Sequence, residues 1–211
     1  MNKLIEDLNW RYATKKYDTN KKISAADFDV IKESLRLTPS SYGLQPLKYL
    51  VIENKELREE LRTHSFNQSQ ITDASHIVVF CSYIDIFENH IDEYIENIGK
   101  TRSQQIETIK GFGEYMKKEI FSMDKEHIAN WNSKQAYIAL GQVLHTCANL
   151  KIDATPMEGF KAEKYDELLG LKEQNLKSIL VCAFGYRSFE DGNANLAKVR
   201  KNSADLFLTL N

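Results

Sequence analysis

The chain has 211 residues, of which 42% are hydrophobic and 27% are charged, and its formal net charge is -2. This composition is typical of a globular protein with a substantial core, and it argues against a nucleic-acid-binding protein, which normally carries a basic excess. No apolar run approaches the ~18 residues of a membrane helix, and no apolar stretch follows the first residues, so we expect neither a membrane span nor a signal peptide. Cys81, Cys147 and Cys182 lie singly in apolar runs, which favours buried thiols and a cytoplasmic location.

The first half of the chain contains one predicted helix and two predicted strands. Ser24 and Asp27 form a capping-box pattern that predicts a helix ending near Leu37. Apolar runs predict buried strands at residues 49–52 and 76–81. The second run is apolar on both faces, which is typical of a central strand.

The second half is predicted to be mainly helical. Residues 85 to about 121 have a helical pattern, and residues 132–150 carry a wide apolar stripe that predicts a core helix or a subunit interface. Residues 178–184 predict a third apolar strand. Because no repeat or linker interrupts the chain, we predict a single domain over residues 1–211 with α+β or mixed α/β layers.

Several common catalytic motifs are missing from the sequence. No P-loop and no G-x-S-x-G nucleophile motif occurs, and the five histidines show no metal-ligand spacing, so we predict no metal site. Gly111 and Gly113 begin a dinucleotide-like pattern, but Met116 stands at the third glycine position in a predicted helix. A Rossmann site is therefore not expected.

Pairs of cationic residues occur near both ends of the chain. Arg11 and Lys15 share one side of the backbone whether the segment is helical or extended, and Lys198 and Arg200 share one side if extended. Fixed cationic donors of this kind suit a phosphate group, although isolated pairs are more often solvated surface residues.

The three prolines of the chain lie in two short polar segments. Pro39 and Pro46 flank Ser40, Ser41 and Gln45, whose mixed donors and acceptors suit the edge of a flavin or pterin ring.

The third proline begins the segment 156–159, which precedes a helix predicted to start near Lys161. Backbone N–H groups there could reach a ring nitrogen, since Gly159 permits close approach. An ordinary loop with a helix cap is the alternative for this segment.

In this order the segments resemble the nitroreductase family of flavoproteins, most closely its oxygen-insensitive bacterial NAD(P)H nitroreductase and dihydropteridine reductase group. The resemblance covers nearly the whole chain. Its anchors are Arg11 to Lys15, Pro39 to Ser41, Gln45, Pro46, Asn67, Lys134 to Tyr137, Pro156 to Phe160, and Lys198 to Arg200.

The resemblance implies a three-layer α+β fold with a central mixed or antiparallel sheet, an intertwined homodimer, and FMN at the subunit interface. It implies that Arg11, Lys198 and Arg200 hold the FMN phosphate and that Lys15 lies near the pyrimidine edge. Pro39, Ser40 and Ser41 are implied to come from the partner subunit. The remaining implied cofactor contacts are Tyr12, Ala13, Gly43, Asn67, Gln135, Pro156, Met157, Glu158 and Gly159.

Five positions depart from the family pattern. Tyr12 and Ala13 replace a histidine or arginine and a serine, Gly43 stands where asparagine is common, and Ala197 replaces a proline. Gln70 replaces a lysine that grips the nicotinamide nucleotide, so the preference between NADH and NADPH is left open.

The implied activity is ping-pong hydride transfer from NADH or NADPH, through FMN, to a nitroaromatic, quinone or pteridine acceptor. The chemistry would lie on FMN, so no catalytic side chain is predicted. Gln70, Phe112 and Tyr115 are the candidate substrate contacts, with ordinary packing as the alternative for the two aromatics. Three other functions remain open: a quinone or enone reductase with incidental nitro reduction, a flavin-binding sensor without turnover, and a purely structural helical dimer.

Overall fold

A four-stranded antiparallel sheet forms the centre of the protein in the computed structural model, which describes residues 2–210. Its strands are β1 (Leu47–Ile52), β2 (His76–Tyr83), β3 (Asp153–Met157) and β4 (Leu176–Gly185). They lie side by side in the order β1-β2-β4-β3, and each neighbouring pair is antiparallel. The sheet is therefore antiparallel rather than mixed.

Nine α-helices within residues 2–210 lie before, between and after the strands in chain order. They are α1 (Lys3–Trp10), α2 (Ala25–Arg36), α3 (Lys55–Thr63), α4 (Gln70–Asp73), α5 (Glu88–Arg102), α6 (Ile106–Phe121), α7 (Lys125–Leu150), α8 (Ala162–Leu168) and α9 (Ser203–Leu206). Among residues 2–210, none of these helices combines the length and the apolar character needed to cross a membrane.

Helices cover both faces of the sheet. Successive residues of a strand point to opposite faces, and β2 uses both of its faces for packing. Val78 and Phe80 pack in a core with residues of α2 and α7, whereas Ile77 and Val79 pack in a second core with residues of α3 and α8. The predicted three-layer α+β architecture is confirmed.

The two central strands are buried, and the first strand is not. The predicted central strand at residues 76–81 is confirmed, because β2 pairs with β1 and β4 and is buried from Ile77 to Ser82. The expectation that residues 49–52 are buried is wrong for most of them: only Ile52 is buried, and Val51 is 37% exposed. An apolar run does not distinguish a central strand from an edge strand, and β1 is an edge strand.

The predicted helix starts agree with the structure in one case and differ in another. The Ser24 hydroxyl accepts the Asp27 N–H at 3.0 Å and begins α2, as predicted. Helix α7 starts at Lys125, seven residues before the predicted start, because the Asp124 carboxylate accepts the His127 N–H at 2.7 Å. The prediction missed this cap because the first two turns carry few of the small apolar residues that mark the rest of α7.

Strand β3 replaces the loop expected around Pro156. Pro156 pairs with Cys182 of β4 at the edge of the sheet, where a residue without an N–H is tolerated. Cys81, Cys147 and Cys182 are all buried and free, as predicted.

Candidate cofactor site

Cations from the two ends of the chain meet at one cavity. Arg11, Lys198 and Arg200 line a cavity of about 320 Å³, to which Ala13 also contributes. The Lys198 ammonium group donates a hydrogen bond to the backbone carbonyl of Arg11. Burial, followed by the charge of Arg200, lowers the pKa of Arg11, and burial followed by both arginines lowers the pKa of Lys198. We call Arg11, Lys198 and Arg200 the cation cluster.

The cation cluster has no counter-charge of its own. Within residues 2–210, none of its three members forms an ion pair with a carboxylate. Cations this close disfavour one another unless an anion lies between them. Arginine and lysine N–H groups are well suited to phosphate, so the residues present fit a phosphate-bearing group.

The segment that carries Arg11 is extended rather than helical. Helix α1 ends at Trp10, and Arg11 has φ -72° and ψ 142°. Asp191 holds the following residues in place, because its Oδ2 accepts the backbone N–H groups of Lys15 at 2.7 Å and Lys16 at 3.1 Å. The Lys15 side chain is exposed and remains free to contact a ligand.

Tyr12 uses its hydroxyl within the protein. The hydroxyl donates to Asp191 Oδ2 at 2.9 Å, and burial, followed by this hydrogen bond, raises the pKa of Tyr12 to about 12. The Asp191 Oδ1 atom accepts the backbone N–H of Asn193 at 3.1 Å. Tyr12 therefore lines the cavity while its hydroxyl orients the segment.

Replacing Asp191 by asparagine should reduce stability in a pH-dependent way. Burial alone would raise the Asp191 pKa, but the N–H groups of Lys16 and Lys15 and the Tyr12 hydroxyl outweigh it and lower the pKa to about 2. A depressed carboxyl pKa stabilises the fold above the unfolded value of about 3.9, by about 2 kcal/mol here, and this contribution disappears as the pH falls through about 2.

We expect Asp191→Asn to unfold about 2 kcal/mol more easily than the parent protein at neutral pH. Urea unfolding at a series of pH values should show this gap closing between about pH 4 and about pH 2. The difference between variant and parent is the quantity to follow, because Asp7 also titrates in this range: hydrogen bonds from Lys151 and Lys3 lower its pKa to about 2. That pH dependence is common to both proteins and cancels in the difference. A gap that is independent of pH would contradict the prediction.

A second buried carboxylate supports the same segment from the sheet. Asp153, the first residue of β3, accepts side-chain hydrogen bonds from Nη2 of Arg187 at 2.6 Å and from its Nε at 3.0 and 3.1 Å, and one from the Thr14 hydroxyl at 3.1 Å. The Arg187 guanidinium also lies 4.2 Å from the ring centroid of Trp10 and 4.5 Å from that of Tyr12. Strand β3 thereby holds the extended segment from its inner side.

The other end of β3 leads to a second group of predicted residues. The Gln68 side-chain amide donates to the Gly159 carbonyl at 2.8 Å, which joins the loop containing Asn67 to the end of the strand. Asn67 is exposed and has φ 56°. We call Asn67, Glu158 and Gly159 the strand-end group. Its residues lie in two segments that the Gln68–Gly159 hydrogen bond joins.

Met157 does not fit its predicted role. Its side chain is 6% exposed and packs in the core with α3 and α8, because this residue belongs to β3 and not to a loop. Pro156 is half-buried in the same strand. These two residues can contact a ligand only through atoms that the sheet leaves accessible.

The loop at Pro39, Ser40 and Ser41 is anchored on α7. The Gln135 Oε1 atom accepts the Ser41 N–H at 2.9 Å, and its Nε2 donates to the Trp131 carbonyl at 2.9 Å. Gln135 is only 4% exposed. It was predicted as a cofactor contact, but the structure uses its amide to position the loop.

Gly43 is required in this loop by its backbone and by a close neighbour. Its φ is 78°, and a Cβ atom there would overlap the hydroxyl of Tyr94, which donates to the Tyr42 carbonyl at 2.7 Å. An asparagine at this position would have to displace the Tyr94 hydroxyl. Gly43 can therefore contact a ligand only through its backbone.

Phe112 and Tyr115 lie beside the same loop. Each ring centroid is 6.4 Å from that of Tyr42, and the two side chains are 39% and 51% exposed. Gln70, the third predicted substrate contact, is 6% exposed in α4. Its amide is not presented to solvent with the two aromatic rings.

The Pro39–Gly43 loop and the cation cluster are not in contact within the described chain. Among residues 2–210, no hydrogen bond, ion pair or ring contact joins the Pro39–Gly43 loop to the cation cluster. Within one chain the cation cluster's segment lies beside the start of β3, and the Pro39–Gly43 loop lies against α7, with Phe112 and Tyr115 of α6 beside that loop.

Comparison with known proteins gives the family. The sequence model of the Nitroreductase family matches residues 8–186. A Staphylococcus aureus protein named "Putative NAD(P)H nitroreductase" is 38% identical over 200 residues, which cover 90% of this chain and 89% of that protein.

Two solved structures have the same fold. A "putative NAD(P)H:FMN oxidoreductase" of Staphylococcus epidermidis superposes with a TM-score of 0.86 at 20% identity, covering 100% of this chain and 97% of that one. A "putative nitroreductase in complex with FMN" of Exiguobacterium sibiricum superposes with a TM-score of 0.75 at 23% identity, covering 98% and 97%. The chain belongs to the nitroreductase family.

Proposed function

We propose that this protein is an FMN-dependent NAD(P)H oxidoreductase that reduces nitroaromatic, quinone or pteridine acceptors. The observation that carries the proposal is the cation cluster, in which three side chains from both chain ends line one cavity without a carboxylate partner among the described residues. A phosphate-bearing cofactor would supply the missing negative charge. The FMN-bound family structure and the NAD(P)H-linked names of relatives support FMN and the nicotinamide donor.

The two ends of strand β3 lie near the residues that would hold the two ends of the cofactor. Its five residues extend from Asp153, beside the cation cluster's segment, to Met157, which precedes the strand-end group. Such a strand spans about 13 Å between its first and last Cα atoms, so its two ends can contact different parts of an extended mononucleotide. The phosphate would lie at Arg11, Lys198 and Arg200, and the ring edge would meet the backbone of Glu158 and Gly159.

The site would be completed by a second copy of the chain. Pro39, Ser40 and Ser41 make no contact with the cation cluster within residues 2–210, yet the resemblance assigns both to one FMN. Two apolar surfaces support a homodimer: Leu4, Ile5 and Leu8 on α1 are 40–45% exposed, and Leu206, Phe207, Leu208 and Leu210 near the C-terminus are 58–85% exposed. Exposed apolar surface of this extent marks interaction sites.

The protein's part in the reaction would be binding and orientation. When bound, FMN supplies the hydride-transfer chemistry that no side chain of this site provides. Lys15 would favour negative charge at the pyrimidine edge. Phe112 and Tyr115 would flank one flat slot that NAD(P)H and the acceptor occupy in turn, which is a ping-pong order. The free buried thiols agree with our placement of the protein in the cytoplasm.

The purified protein should be yellow and release FMN on denaturation, with one FMN per chain. Anaerobic mixing with NADH or NADPH should bleach the flavin absorbance, and adding a nitroaromatic, a quinone or a pteridine should restore it. Rates across the three acceptor classes would identify the main substrate. A colourless protein that takes up no added FMN would refute the proposal, and a flavin that neither nicotinamide reduces would leave a binding protein without turnover.

A further inference from the structure

Tyr137 of α7 makes a contact that the proposed chemistry does not use. Its hydroxyl donates a hydrogen bond to the Glu158 carboxylate, 21 positions along the chain. This hydrogen bond, followed by burial, raises the pKa of Tyr137 to about 12, so the phenol stays protonated and remains a donor at neutral pH. Tyr137 is nevertheless 44% exposed, so the contact lies at the surface of the site and not in the core.

The backbone around Glu158 does not depend on this contact. The Phe160 N–H donates to the Glu158 carbonyl at 2.9 Å, the Lys161 N–H donates to the His64 carbonyl at 2.8 Å, and Gln68 holds the Gly159 carbonyl. These bonds fix the strand-end group without Tyr137. What Tyr137 restrains is the carboxylate itself.

The Glu158 carboxylate has no cationic partner that would neutralise it. Among residues 2–210, no lysine, arginine or histidine forms an ion pair with Glu158. A hydrogen bond from a phenol to a carboxylate stabilises the charged form and withdraws part of its charge. Tyr137 is thus the group that moderates this negative charge.

We propose that Tyr137 is a positioning residue that holds the Glu158 carboxylate and weakens its field at the cofactor ring, thereby raising the reduction potential of the bound cofactor. The inference rests on the proposed function, which puts the ring edge at Glu158 and Gly159. Reduction adds negative charge to the ring, and a nearby carboxylate opposes that charge. By donating a hydrogen bond to the Glu158 carboxylate, Tyr137 weakens this repulsion.

Two conservative substitutions should shift the potential in opposite directions. Tyr137→Phe removes only the hydroxyl and leaves the carboxylate free, so the potential of bound FMN should fall. Glu158→Gln keeps an acceptor for the Tyr137 hydroxyl and removes the charge, so the potential should rise. The double variant should have the potential of Glu158→Gln, because without a carboxylate the hydroxyl has nothing to moderate.

The measurement is the potential of bound FMN, determined by anaerobic titration against a redox dye, with FMN affinity and thermal unfolding of each variant recorded beside it. Tyr49→Phe is the matched control: Tyr49 lies on β1, packs against Phe80, and should leave the potential unchanged. A merely structural role for Tyr137 would shift both single variants in the same direction or change only thermal unfolding, and either result would overturn the inference. A parent protein that binds no FMN would instead refute the proposed function.

Discussion

Arg11→Ala and Arg200→Ala should each weaken FMN binding by roughly 10- to 100-fold, because each removes charge-assisted hydrogen bonds worth about 1.5–3 kcal/mol. The apo-protein should keep its stability or gain slightly. Arg11 and Arg200 repel each other and have no carboxylate partner in the described chain, so removing one relieves a like-charge contact. Loss of ligand affinity without loss of stability would distinguish a binding residue from a structural one.

Fluorescence titration of the apo-protein with FMN measures the affinity, and thermal unfolding without FMN measures the stability. Lys201→Ala is the matched control, since it removes the same charge one residue from Arg200, and Lys201 is exposed and does not line the cavity. Its affinity should stay close to that of the parent. Unchanged FMN affinity in Arg200→Ala would contradict the assignment of the cation cluster.

The elements that sequence predicts correctly are those whose signal is local. A Ser24 cap followed by apolar residues at helical spacing identifies α2, and uninterrupted apolar runs identify β2 and β4. Strand β3 has no such signal, because it is short and contains Pro156, which reads as a loop residue. The edge position of β1 depends on which strands pair, and its apolar run carries no information about that.

The site residues also fall into those that a local sequence pattern reveals and those that only the fold brings together. Each cationic pair is visible in the sequence, and the family resemblance joins the pairs, but their meeting at one cavity needs the fold. Asp153, Arg187 and Asp191 were not predicted, since each acts on residues more than 30 positions away. A buried aspartate that organises a distant segment has no local pattern by which to find it.

Asp153→Ala should be the most destabilising single change near the site. Asp153 is 3% exposed, and its removal leaves the Arg187 guanidinium without its carboxylate partner and the buried Thr14 hydroxyl without its acceptor. Breaking a buried pair on one side costs about 3–5 kcal/mol. We expect a loss of about 3 kcal/mol, at the lower end, because the rings of Trp10 and Tyr12 still cover the guanidinium.

The double variant Asp153→Ala/Arg187→Met decides whether that loss comes from the stranded charge. If it does, the double variant should be more stable than Asp153→Ala alone, because no unpaired guanidinium remains. Glu167→Ala is the surface control: its ion pair with Lys164 is exposed, so its effect should stay within about 0.5 kcal/mol. Unfolding must be measured without FMN, since a bound ligand adds its own stabilisation. A double variant less stable than Asp153→Ala would show that Arg187 stabilises the segment mainly by packing between the two rings.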